Sequence, residues 1–247
     1  MVAHRGASST HAENTLSALE AAVAAGAQAV ELDVRLTADG VPVVIHDPDV
    51  SRVSEGEGLV AEMTFQQVRA LDVSRGLHGP AEVPSLSEVL AALSGRAAAV
   101  IEIKNWPQQP GFDPDHGQVE AVIRELDDAG FSGPVLLASF NWASVDRARV
   151  LAPGMPTGLL SVSGVADPGL ALERAGEGGH AFVLPHVSDL VAEGPAFVGS
   201  AHEAGVRVGT WVVDEENAVR TLFSWGVDAV ATDDPAMAVA LRPGGQG

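Results

Sequence analysis

From residue 97 onward the chain alternates between short apolar β-rich runs and amphipathic helical stretches, and this alternation limits the fold more than any other feature. Strands are expected at Ala97–Lys104, Val135–Ser139, Thr157–Leu160, Ala181–Leu184, Val206–Val213 and Asp228–Ala231. Helices are expected between them and after the last, at Gly117–Ala129, Trp142–Leu151, Pro168–Ala175, Leu190–Ala204, Glu215–Trp225 and Pro235–Leu241. Strands joined by helices pair in parallel through crossovers. Two earlier units, opening at residues 2 and 29, raise the count to that of a (β/α)8 TIM barrel. A doubly wound sheet is the alternative architecture. No linker, low-complexity block or charge run marks a second domain, so residues 1–247 read as one barrel domain with a frayed tail at 242–247.

The first units carry more chemistry than the later ones. Glu13–Ala25 has helical periodicity, with Leu16, Leu19, Ala22 and Val23 on one face and Gly26 as its stop. Ala29–Leu36 then alternates Val30, Leu32, Val34 and Leu36 against Glu31, Asp33 and Arg35, a strand signature. Asp39-Gly40 is a strong hairpin signal, and Val41–Ile45 follows as a second strand. That turn is too short for a crossover, so the second strand is expected as an antiparallel extension outside the barrel.

A two-residue turn would set Ala38 opposite Val41, Arg35 opposite Val44 and Asp33 opposite His46. Glu31, Asp33 and His46 would then share one face; a solvated hairpin displaying them to water is the alternative. Further on, Thr64-x-x-Gln67 and Ser85-x-x-Glu88 have the form of capping boxes, opening helices to Leu71 and Leu93.

Fourteen basic residues against thirty-three acidic give a formal charge of −19. Such a balance argues against nucleic acid or an anionic membrane surface as partner. A small anionic substrate remains compatible, provided a bound cation reverses the local field. No apolar run approaches the ~20 residues of a membrane span, and MVAHRG has no signal-peptide character. The chain lacks cysteine, which removes disulfides and thiolate chemistry. A cytoplasmic protein without membrane insertion is the expectation; composition sets no oligomeric state.

Barrel enzymes carry their catalytic groups at the C-terminal ends of strands. Here those ends read His4-Arg5, Glu31 and Asp33, Glu102 with Lys104, Ser139-Phe140, Pro185-His186, Trp211 and Thr232-Asp233-Asp234. A solvated hairpin does not account for a third carboxylate and further cations at equivalent positions. Glu31, Asp33 and Glu102 form an all-oxygen set suited to one divalent cation, Mg2+ or Ca2+. For Glu102 the plainer role is an ion pair with Lys104. Arg5 beside a cation suits a phosphate clamp. His4 and His46 are placed to reach that centre from opposite sides, as an acid and a base titrating near neutrality must.

These residues resemble the glycerophosphodiester phosphodiesterase family over nearly the whole chain. The likeness runs through His4-Arg5-Gly6, Glu13-Asn14-Thr15, Glu31-x-Asp33, Asp39-Gly40, His46-Asp47, Pro84-Ser85-Leu86, Glu102-Ile103-Lys104, Ser139-Phe140, Ala201-His202 with Gly205, Trp211-Val212-Val213 and Thr232-Asp233-x-Pro235. It implies the TIM barrel fold, His4 and His46 as acid/base pair, and Glu31, Asp33 and Glu102 as metal ligands. It further implies Arg5 and Lys104 as phosphate-facing cations, Trp211 as an aromatic wall for glycerol, and Glu13 as a supporting carboxylate.

Departures are Ala12 where the family has proline, and Val212 and Asp214 where it has threonine and asparagine. The implied reaction is metal-dependent hydrolysis of a small glycerophosphodiester to glycerol 3-phosphate and an alcohol. Alternatives at the same site are a phospholipase D-like or lysophospholipid-cleaving activity, or a barrel that binds phosphoglycerol compounds without turnover.

Overall fold

The computed structural model describes residues 1–242. Its strands are β1 Val2–His4, β2 Ala29–Leu36, β3 Pro42–Val44, β4 Ala98–Ile103, β5 Val135–Ser139, β6 Thr157–Ser161, β7 Phe182–Pro185, β8 Arg207–Thr210 and β9 Ala229–Thr232. Eight of them, all but β3, pair in parallel in the order β1-β9-β8-β7-β6-β5-β4-β2, and the β1–β2 pairing closes the ring. This is the expected (β/α)8 barrel. Helices α1 Leu16–Ala24, α2 Phe65–Arg69, α3 Leu86–Leu93, α4 Gly117–Ala129, α5 Trp142–Leu151 and α6 Pro168–Gly178 lie in the connections. They continue as α7 Val187–Glu193, α8 Pro195–Glu203, α9 Glu216–Ser224 and α10 Pro235–Ala240.

The outer faces of the strands bury Val30, Leu32, Val34, Ile101 and Ile103 against α1, α3 and α4, and Leu159, Val183, Val208 and Val230 against the later helices. Both expected capping boxes form, Thr64 with Gln67 and Ser85 with Glu88. The helix expected over Leu190–Ala204 is instead two, because Gly194 turns the chain at φ 74 and Pro195 opens a new helix with no N–H to bond backward. Residues 243–247 of the expected tail lie outside the described residues. No described helix is long and apolar enough to cross a membrane.

β3 is antiparallel to β2 on the outside of the barrel, as expected, but its register is one residue from that of a two-residue turn. Val34 faces Val44, Arg35 faces Val43 and Leu36 faces Pro42. Gly40 alone takes a positive φ, 77°; Asp39 does not. The loop therefore spans three residues, Ala38 to Gly40, closed by Gly40 N–H to the Thr37 carbonyl at 2.9 Å. Thr37 is responsible: its hydroxyl donates to Asp39 Oδ1 at 2.6 Å and accepts from the Val41 N–H at 3.0 Å, so the side chain takes the place of a tighter turn.

Candidate active site

Three strand ends bring the charged residues together. After His4 the chain reverses at once, with Arg5 at φ 57 and Gly6 at φ 86. A Cβ on Gly6 would lie 2.6 Å from the Ala18 backbone of α1, so only glycine lets the helix approach this closely. The reversal aims the Arg5 backbone N–H at Glu31 Oε2, 3.1 Å away. Neighbouring β2 and β4 pair Asp33 with Glu102, and the pleat puts Glu31 on the same inner face. Carboxylate oxygens of Glu31, Asp33 and Glu102 lie within 4.8 Å of one another.

Asp33 is fully buried, and its surroundings explain how its charge is tolerated. The Asn14 amide donates to Asp33 Oδ2 at 2.8 Å. Asn14 holds a left-handed φ of 58°, a conformation asparagine accepts more readily than most residues. Lys104 Nζ lies 2.9 Å from Asp33 Oδ1 and 2.7 Å from Glu102 Oε1, so the simple Lys104–Glu102 pairing is real but is part of a larger cluster. Arg5 Nε lies 3.0 Å from Asp33 Oδ2. Burial works to raise the Asp33 pKa, yet the Lys104 and Arg5 charges outweigh it and hold the carboxyl well below its usual range. Glu31 has the opposite balance: burial and the adjacent Asp33 charge push it up to about 8. Burial likewise raises Glu102, against the pull of Lys104.

Three convergent carboxylates, all hard oxygen donors, fit a divalent cation.

Each histidine is held by its own carboxylate. His4 Nδ1 is hydrogen-bonded to Asp233 Oδ1 at 2.7 Å, and the Ser8 hydroxyl lies 2.8 Å from the same oxygen. This leaves His4 Nε2 facing the cluster, 4.0 Å from Glu31 Oε2. His46 Nδ1 is bonded to Asp47 Oδ1 at 2.5 Å, and Asp47 is in turn gripped by Arg52. Since a carboxylate selects the protonated nitrogen, Nδ1 carries the proton in both rings and Nε2 is left for the chemistry.

Their charges differ. Burial lowers the His4 pKa, but the Asp233 hydrogen bond and the Glu31 charge more than compensate and raise it above the ordinary histidine value. For His46, burial dominates, and Lys104 and Arg5 add to it against Asp33; its pKa falls to about 4.

His46 reaches the site by a different route from the one the turn implied. In the observed register Asp33 faces Ile45, whose N–H donates to the Asp33 carbonyl at 2.8 Å. The chain leaves the ladder after Val44, sends Ile45 into an apolar cluster with Val43, Val50 and Val60, and so swings His46 back. Arg35 Nε fixes the turn by donating to the His46 carbonyl at 2.8 Å.

Glu13 bridges Arg5 and Arg52, 3.0 Å from Arg5 Nη1 and 2.7 Å from Arg52 Nη2. Arg5 and Lys104, expected to face phosphate, both contact carboxylates and both line the central cavity. Trp211 also lines it, its indole N–H donating to the Leu184 carbonyl at 2.9 Å and its edge packed on Phe140. His186 packs edge-on against Trp211 and turns its Nδ1 toward Ser188. Asp214, one of the departures, does not line the cavity; it accepts from the Thr232 hydroxyl and the Asp233 N–H, both at 2.9 Å, and so steadies the loop that carries Asp233.

Asp233, Asp47, Asn14 and Arg52 were given no individual role by sequence reading. The first three stand inside quoted motifs, so adjacency to His46 or to the last strand end was an available signal. Arg52 had none, since it lies in a stretch that reads only as polar loop.

Comparison with known proteins agrees with this geometry. A family model described as the glycerophosphoryl diester phosphodiesterase family matches residues 4–237. The chain is 34% identical to a glycerophosphodiester phosphodiesterase of Caldanaerobacter subterraneus subsp. tengcongensis, covering 99% of this chain and 98% of that one. It is 29% identical to a glycerophosphodiester phosphodiesterase of Bacillus altitudinis, with 97% and 96% covered. Among solved structures, an Oleispira antarctica phosphodiesterase in complex with the product sn-glycerol-3-phosphate superimposes with a TM-score of 0.86 at 27% identity, covering 97% of this chain and 95% of that one.

Proposed function

Because the chain belongs to the glycerophosphoryl diester phosphodiesterase family and is a phosphoric diester hydrolase, we propose that it cleaves a small glycerophosphodiester to glycerol 3-phosphate and an alcohol. In this reading Glu31, Asp33 and Glu102 hold one divalent cation, Mg2+ or Ca2+, and His4 and His46 are the acid/base pair. The observation that carries it is the arrangement of two imidazoles, each oriented by its own carboxylate, around a buried three-carboxylate cluster.

When bound, the cation supplies charge to offset the phosphoryl oxygens as the transition state forms. The chain's own residues do the rest. Arg5 and Lys104 keep the carboxylate cluster from repelling an anionic diester. His46, neutral above about pH 4, takes the proton from the attacking oxygen at Nε2, while Asp47 stabilises the imidazolium that results. The attacker is water or the substrate's own 2-hydroxyl. His4, kept protonated by Asp233, gives its Nε2 proton to the departing alcohol oxygen. Trp211 and Phe140 offer the apolar face against which the glycerol carbons rest.

The test is product release from glycerophosphocholine with and without EDTA. His4→Ala and His46→Ala should each lower kcat by about 10²–10⁴ while calorimetry still finds the cation bound. Wild-type turnover in either variant removes that histidine from the pair. Tight binding of the diester without turnover by the wild type would make the barrel a binding protein.

A further inference from the structure

Arg5 and Lys104 are held by carboxylates, but Arg35, only 6% exposed, pairs with none among the described residues. Burial pulls its pKa down to about 10, against the charges of Asp33, Glu102 and Asp47, and at neutral pH the guanidinium keeps its charge. A buried cation without a counterion is costly, and an apolar side chain of similar volume would fill the space at lower cost. What the guanidinium alone supplies is a rigid fork of N–H donors.

That fork reaches three segments remote from one another in sequence. Nε donates to the His46 carbonyl at 2.8 Å and Nη2 to Gln109 Oε1 at 2.8 Å, while Nη1 reaches the Lys104 carbonyl at 3.5 Å. His46 comes after β3, Lys104 follows β4, and Gln109 lies in the loop from 105 to 116 that leads into α4. Among the described residues, neither main-chain carbonyl has another protein donor. Arg35 itself stands on β2, where its backbone pairs with Val43. The Gln109 anchor is also fixed, because Asn105 closes its loop. The Asn105 Nδ2 donates to the Asp113 carbonyl and its Oδ1 accepts from the Asp113 N–H, both at 2.8 Å.

We propose that Arg35 is a positioning residue for the diesterase reaction, a brace that sets the place of His46 by tying it to the end of β4 and to the 105–116 loop. The assignment rests on the diesterase reading above and adds a residue to it. His46 needs such a brace because the β3 ladder ends at Val44, two residues before it. Asp47 settles how the His46 ring is turned, through Nδ1. Arg35 settles where the His46 main chain stands, from the strand that also carries Glu31 and Asp33. Placement of this kind matters to rate, since a group misplaced by about 1 Å can cost about 100-fold.

The experiment is a double-mutant cycle on the cation-loaded enzyme, read as kcat and KM for glycerophosphocholine. Arg35→Met should lower kcat about 10–100-fold. KM should change by less than about threefold, since Arg5 and the Lys104 ammonium keep their carboxylate partners. Arg35→Lys should not restore kcat, because one ammonium cannot reach all three acceptors. Gln109→Leu should lower kcat about 3–10-fold, and Gln109→Glu, which keeps an accepting oxygen, should stand closer to wild type. Combining Gln109→Leu with Arg35→Met should cost no more than Arg35→Met alone, because Gln109 acts through Arg35; a general loosening of the fold would make the two losses add. Should Arg35→Met fold poorly, the two Gln109 variants, at a half-buried loop position, carry the test. Undiminished kcat in Arg35→Met, full recovery in Arg35→Lys, additive losses, or a Gln109→Glu no better than Gln109→Leu overturns the proposal. Absence of turnover by the wild type would instead sink the diesterase reading, and this assignment with it.

Discussion

Asn14 offers the sharpest check on the cation site, because its side chain touches one proposed ligand and nothing that moves a proton. Its amide donates to Asp33 Oδ2 at 2.8 Å, with Asn14 and Asp33 both buried. A hydrogen bond to a charged group contributes about 1.5–3 kcal/mol, which at about 1.4 kcal/mol per decade is roughly 10- to 150-fold in an equilibrium constant. Partners that orient metal ligands typically alter affinity by about 10–100-fold, the same range. Glycine is the replacement to use, since Asn14 sits at φ 58 and any residue with a Cβ would add backbone strain to the loss of the amide. In Asn14→Gly the cation concentration giving half-maximal turnover should therefore rise about 10–100-fold, while kcat at saturating cation stays within about threefold of wild type. Calorimetric titration of Mg2+ and Ca2+ should show the same loss directly. An unchanged half-saturating concentration would refute the idea that Asp33 binds the cation in the orientation Asn14 imposes.

Other perturbations separate the remaining roles. Glu31→Gln should weaken cation binding more than it changes kcat at saturation; a purely kcat effect would assign Glu31 elsewhere. The pH profile should be bell-shaped, with activity lost as pH falls through about 4 and His46 gains a proton, and lost again as pH rises through the elevated His4 pKa. Asp233→Asn removes the charge that favours the His4 imidazolium, so the alkaline limb should move to lower pH with the acid limb in place; an unmoved alkaline limb would show that His4 is not the acid. Arg52→Met should lower kcat by up to about tenfold through a loosened Asp47 and His46, with cation affinity unchanged; Arg52 is half-exposed, so the effect is at the mild end.

Much of the site was legible in the sequence because its residues obey local rules. Glu31, Asp33 and Glu102 could be placed at strand ends from alternation alone, and the barrel count followed from which runs could be joined by a crossover. Ser85 and Thr64 announced their helices because a cap is settled within four residues. Local chemistry was a poorer guide where two signals competed. Asp39-Gly40 suggested a two-residue turn, but the Thr37 hydroxyl two residues earlier took the hydrogen bonds and shifted the register. His46 still arrived at the centre, by leaving the strand and not by pairing with Asp33.

What the amino-acid order determined, then, is the set of elements, their parallel closure and the identity of the charged groups at the strand ends. Periodicity, turn chemistry and capping act over a few residues and can be read without coordinates. Only the tertiary structure decided which partners hold those groups. Asp233 meets His4 across 229 residues of chain because β9 and β1 are neighbours in the closed ring. Arg52 meets Glu13 and Asp47 where a loop folds over the strand ends. Contacts of this kind depend on how distant segments pack, and no local pattern encodes them.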